Sequence, residues 1–95
     1  RRRLGAALEA LSKERFAASF AAPVDLAAVY GYGATVALPM DLALILRRLE
    51  GNYYRGARAL AHDCHLIIVN CLKFNLEDSG IARQSQRLAS ALAEV

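Results

Sequence analysis

The sequence predicts an all-α fold: an antiparallel four-helix bundle with a long loop between the first and second helices. Three observations carry that expectation. Apolar residues recur at helical spacing in four separate segments. Strand signals are poor, because the only β-branched run, around Val29–Val36, is broken by Gly31 and Gly33. The connections at 50–55 and 74–79 are short, which makes the helices they join antiparallel neighbours. A chain of 95 residues makes one domain with a single core. With 56% of its residues apolar and 22% charged, it is not a disordered or solvating chain.

The first helix is expected over about 3–18, where Leu4, Leu8 and Leu11 recur within an Ala-rich run. The second spans about 41–50, with Leu42, Ile45, Leu46 and Leu49 on one face. Asp41 can cap it, with Pro39 just before and Gly51 just after. The third, about 55–73, is the most apolar, and Leu60, Cys64, Ile67, Ile68 and Cys71 form its core stripe. The fourth, about 79–94, begins near Asp78 or Ser79, both good N-caps, and aligns Ile81, Ser85, Leu88, Ala89 and Leu92. The segment at about 19–40 is too long for a passive connector, and loops of that length are often functional. It is also apolar, with Phe20, Val24, Leu26, Val29, Tyr30, Tyr32 and Val36, so it must fold across one end of the bundle, over a cavity.

The net charge of +3 sits at one end. Residues 1–15 carry Arg1, Arg2, Arg3, Lys13 and Arg15 against Glu9 and Glu14, and the remainder is balanced. A basic first helix of this kind is a solvated helix start, or makes weak nucleic-acid contact. The chain opens on arginines without a Met and reads as one module, residues 1–95, of a larger protein. It shows no signal-peptide pattern and no apolar run of the roughly 18 residues a membrane span needs. Cys64 and Cys71 lie seven apart on one helix, roughly 10 Å along its axis. A disulfide needs Cα atoms within about 7 Å, so both are expected as reduced core thiols.

Catalytic and cofactor chemistry is not expected. There is no phosphate-binding glycine loop, no Gly-x-Ser-x-Gly turn and no CxxC pair. His62 and His65 have a spacing that can hold a metal, but Asp63 and Cys64 between them point to other parts of the helix surface, so four ligands do not converge. The expected place of both histidines is the flank of the core. Asp25, Asp41 and Asp63 are lone carboxylates with cap or surface explanations. Neither an enzyme nor a cofactor is implied.

The stretch Asn70-Cys71-Leu72-Lys73-Phe74-Asn75 ends the third helix on a neutral amide. By itself Asn75 can cap the helix, or it can offer an N–H to something lodged between helices. Together with the long loop, Pro39-Met40-Asp41-Leu42 and Asn52-Tyr53-Tyr54, this stretch resembles the bromodomain family in order and spacing over nearly the whole chain. Phe20-Ala21-Ala22-Pro23-Val24-Asp25 is similar to the start of that family's loop. Tyr54-Arg55, Ala59-Leu60 and Ser79-Gly80-Ile81-Ala82-Arg83 most resemble the bromodomains of large WD-repeat-containing proteins.

The resemblance implies a left-handed bundle whose pocket binds acetylated lysine, usually on histone tails, in a nuclear, chromatin-associated monomer. It places Asn75 as the direct donor to the acetyl carbonyl and Tyr32 as the loop tyrosine that reaches it through water. Phe20 and Val24 fall on the pocket floor and wall, Val29 on the loop side, Phe74 beside the pocket and Ile81 at the gatekeeper position. Two departures imply a weaker or altered ligand preference. Ala18-Ser19-Phe20 stands where a Trp-Pro-Phe shelf is common, and Tyr30-Gly31-Tyr32-Gly33 loosens the loop. The same departures leave open a degenerate member that acts as a protein–protein scaffold.

Overall fold

The computed structural model describes residues 2–25, 28–29, 31–75 and 79–94. Among them no strand occurs. The order is α1 (Arg2–Ser12), a 3₁₀ helix (Arg15–Phe20), the single turn α2 (Tyr32–Thr35), α3 (Leu42–Glu50), α4 (Ala57–Phe74) and α5 (Gly80–Ala93). The four longer helices form the bundle. Leu8, Ala17, Phe20, Leu42, Ile45, Leu49, Tyr54, Ile67, Ile68, Cys71 and Leu88 make one buried cluster at its centre.

The caps explain where helices start and stop. Asp41 has an extended backbone, and its carboxylate accepts from the Leu44 N–H at 3.0 Å, satisfying one orphan donor of α3. Ser79 does the same for α5, accepting from Ala82 N at 3.2 Å; Asp78, the other candidate cap, lies outside the described residues. The stop of α3 differs in detail from expectation. Gly51 keeps a negative φ, and it is Asn52, at φ 59°, that takes the left-handed position. Tyr53 N–H then reaches back to the Arg48 carbonyl at 2.8 Å and Asn52 N–H to that of Leu49 at 3.2 Å. These two bonds close the helix end and turn Tyr54 into the core.

The first helix is shorter than its Ala-rich composition predicts. It stops at Ser12, whose hydroxyl donates to the Glu9 carbonyl, rather than running to about Ala18. Glu14 is extended, and the chain restarts as the 3₁₀ helix. The reason is directional. At about 3.6 residues per turn, Ala17 would lie half a turn away from Leu8 on a continuous helix. Both are fully buried, at 0% and 1% exposure, and the break is what lets them face the same core.

The long loop lies down on the bundle, as its apolar content requires. Tyr32 and Val36 are buried, Ala21 accepts from the Ala43 N–H at 3.0 Å, and the Leu38 carbonyl accepts from the Asn70 side-chain amide at 2.8 Å. It is not structureless: Ala28 and Val29 N–H groups fold back on the Asp25 carbonyl, and α2 follows. Leu26 and Tyr30 lie outside the described residues.

Candidate functional site

Where the loop meets the end of α4, several side chains converge on Cys71. Tyr32, held by α2, sets its ring edge-on against Phe74, with centroids 5.0 Å apart and planes at 68°. Burial pushes the Tyr32 phenol up from its ordinary value, and the neighbouring Cys71 sulfur adds to this. The group is therefore a neutral hydroxyl at physiological pH, able to donate and accept. Asn75 ends α4 with an extended backbone, and its N–H donates to the Cys71 carbonyl at 2.9 Å. Its side-chain amide donates to that same carbonyl at 3.1 Å and lies 3.7 Å from the Cys71 sulfur. The Cys71 thiol in turn faces the Ile81 carbonyl at 3.7 Å, bringing the first turn of α5 to the same point.

Tyr32, the Asn75 amide and the Ile81 backbone carbonyl thus meet at one buried sulfur, and Phe74 packs on Tyr32. Val29, half-buried, is tied to Tyr32 through a backbone bond from Tyr32 N–H to its carbonyl at 3.3 Å. Phe20 enters from the 3₁₀ helix and is buried in the same core as Cys71. Val24 is half-buried in the loop just before Asp25. Ala18 and Ser19 are exposed, so no flat aromatic surface stands beside Phe20. Chemically, the cluster offers a neutral amide donor and a neutral hydroxyl beside the apolar Phe74 side chain.

A family model for the bromodomain matches residues 4–87. The chain belongs to the bromodomain family. Relatives of this bromodomain include bromodomain and PHD finger-containing protein 3 of Homo sapiens, 36% identical over 81 residues, which are 85% of this chain and 7% of that protein. The Mus musculus protein of the same name is 35% identical over 81 residues, again 85% of this chain and 7% of that protein. A bromodomain and WD repeat-containing protein of Dictyostelium discoideum is 29% identical over 87 residues, 92% of this chain and 4% of that protein. The chain therefore spans less than a tenth of the length of these relatives. Bromodomains generally read acetyl-lysine and are reader modules rather than enzymes.

Sequence reasoning missed one polar centre of this bromodomain. Asp63 is not a surface carboxylate but is 7% exposed, and it points at α3. Its Oδ2 accepts from Arg48 at 2.8 Å and from the Tyr54 hydroxyl at 2.6 Å. The Arg48 guanidinium also lies 4.4 Å from the centre of the Tyr53 ring. Burial and the bond to Asp63 push the Tyr54 phenol well up. No local pattern could reveal this, because the partners are far apart in sequence. His62 is exposed, with Nδ1 3.6 Å from Asp63 Oδ1, and His65 is exposed on the rim of an apolar groove. Among the described residues no three His, Cys, Asp or Glu side chains gather as metal ligands would, and no helix is long and apolar enough to cross a membrane.

That groove, of about 380 Å³, is lined by Leu4, Leu8, Leu60, Cys64, Ile68 and Leu92 among others. It is separate from the Tyr32–Asn75 cluster, since its α4 residues end at Ile68 and the cluster begins at Cys71. Cys64, a free thiol like Cys71, has its pKa pushed up to about 11 by burial and by the charge of Asp63, so it is mostly unreactive at neutral pH.

Proposed function

We propose that this bromodomain binds acetylated lysine on histone tails or other acetylated proteins, in a nuclear, chromatin-associated setting and as a monomer. The convergence of Asn75 and Tyr32 on Cys71, with Ile81 alongside, is the observation that carries the reading. Acetylation turns an ammonium into a neutral amide with a methyl group. Apolar walls of Phe20, Val24, Val29 and Ile81 accept the methyl. They reject the ammonium, because burying an unpaired charge costs several kcal/mol even after relaxation.

Asn75 is poised to serve as donor. The Cys71 carbonyl receives both the backbone N–H and the side-chain amide of Asn75. When the amide turns to a ligand carbonyl, the backbone bond remains, so no buried acceptor is orphaned. One hydrogen bond is exchanged for another, so the step contributes at most roughly 1 kcal/mol net. One hydrogen bond plus a few apolar contacts gives modest affinity for a single mark.

The test is a calorimetric titration of acetylated and unmodified histone peptides. Acetylated peptide binds selectively, and Asn75→Ala abolishes measurable binding while the circular dichroism spectrum is retained. Equal binding of both peptides, or full affinity in a folded Asn75→Ala protein, would sink the reading. A protein–protein scaffold is the second reading. It is favoured by the exposed Ala18 and Ser19 in place of a shelf.

A further inference from the structure

We propose that the groove between the 3₁₀ helix and α5 takes an anionic side chain flanking the acetyl-lysine on the same peptide. This inference rests on the acetyl-lysine reading above and names the peptide class it selects. The groove has a volume of about 370 Å³ and is lined by Glu14, Arg15 and Phe16 from one side and by Gly80, Arg83 and Arg87 from the other. Among the described residues the groove thus brings the exposed guanidinium groups of Arg15 and Arg87 beside one exposed carboxylate, that of Glu14.

Two features mark the arrangement as a recognition surface. Arg15 of the 3₁₀ helix and Arg87 of α5 are brought to one groove from separate elements, so two like charges share a surface. The Arg87 guanidinium also lies 4.6 Å from the centre of the Phe16 ring, a contact that favours this position of its side chain. Among the described residues neither Arg15 nor Arg87 has an ion pair.

Position relative to the Cys71 cluster selects a peptide. Gly80, in the groove wall, directly precedes Ile81, at the cluster's edge. Arg83 and Arg87 lie about 3 and 9 Å further along the α5 axis, at roughly 1.5 Å per residue. An extended peptide advances roughly 3.3 Å per residue, so a side chain one to three residues from the acetyl-lysine reaches them. A carboxylate or phosphoryl group there meets guanidinium donors with the geometry for paired hydrogen bonds. Duplex nucleic acid fits less well. It presents a charge about every 1.7 Å of axis, whereas this basic surface is the size of one groove and residues 16–95 carry no net charge.

The experiment titrates labelled peptides carrying acetylated or unmodified lysine, each with glutamate, phosphoserine or glutamine at the flanking positions. It uses the wild type and an Arg15→Gln/Arg87→Gln double variant, whose altered residues are exposed. Exposed ion pairs are individually weak, so the expected gain is roughly three- to tenfold for anionic over glutamine peptides at low salt, fading as salt rises. In the double variant the gain disappears, and the affinity for the acetylated glutamine peptide is unchanged. A larger gain for phosphoserine than for glutamate also supports the proposal and points to a dianion as the natural group. Equal affinity of the three acetylated peptides for the wild type, or a gain that survives in the double variant, overturns it. So does a short DNA duplex that displaces the peptide from the wild type but not from the double variant. Loss of discrimination between acetylated and unmodified lysine, with the charge preference intact, would sink the acetyl-lysine reading and leave the groove assignment standing.

Discussion

Single residues in this protein act through where their polar atoms are sent. Asp63 sits in the core with Oδ2 shared between Arg48 and Tyr54, so one carboxylate ties α3, the α3–α4 turn and α4 together. Removing one partner of a buried charge is costly, because the other is left without compensation. Tyr54→Phe deletes a hydrogen bond to a charged acceptor and should lower stability by about 1.5–3 kcal/mol, read from urea unfolding. The pH dependence follows from the direction of the Tyr54 shift. The folded state holds the phenol above its ordinary value near 10. Its contribution is therefore complete below pH 10 and is lost as pH rises from there through the folded value. Melting curves between pH 8 and 11.5 should show the wild type falling more steeply above pH 10 than Tyr54→Phe. Parallel curves would remove Tyr54 from the account. Tyr32, raised in the same direction, contributes with the same sign.

At the scale of elements, the loop and α4 behave as one unit. The Asn70 amide holds the Leu38 carbonyl just before Pro39, where the chain enters α3, while Tyr32 packs on Phe74 one turn further along α4. Asn70→Ala should therefore leave the bundle folded but loosen the loop. The expected loss is about 1–3 kcal/mol, the cost of one unsatisfied polar group. Hydrogen exchange should rise between 21 and 40 more than within α5. Uniform protection across both regions would show that Asn70 does not fasten the loop. Because the loop carries Tyr32, peptide affinity should fall in the same variant, although Asn70 is not placed in the ligand cluster. The break after Ser12 belongs to this scale too. A helix that continued would have kept Ala17 off the core.

For the whole molecule, one buried cluster joins α1, the 3₁₀ helix, α3, α4 and α5. Leu88 is fully buried, and Leu88→Ala should cost 2–5 kcal/mol, a large share of the about 5–15 kcal/mol typical of such domains. Loss of a cooperative thermal transition at 37 °C would fit that share; a change below about 1 kcal/mol would mean the core closes over the gap. Much of this architecture was legible in the residues themselves. The stripes of Leu42, Ile45 and Leu49, and of Ile67, Ile68 and Cys71, together with the Asp41 cap, are local signals, and helix periodicity and capping are local physics. The order and spacing of the long loop, Pro39-Met40-Asp41-Leu42, Asn52-Tyr53-Tyr54 and Asn70–Asn75 carried the family resemblance. What only the tertiary structure decided depends on partners distant in sequence. The end of α1 at Ser12 was set by the direction in which Ala17 must be buried, the burial of Asp63 by Arg48 and Tyr54 arriving from elsewhere, and the basic groove by Arg15 meeting Arg83 and Arg87 across two elements. Spacing along the chain cannot specify such meetings, because they are fixed by how the helices pack and not by the period of any one of them.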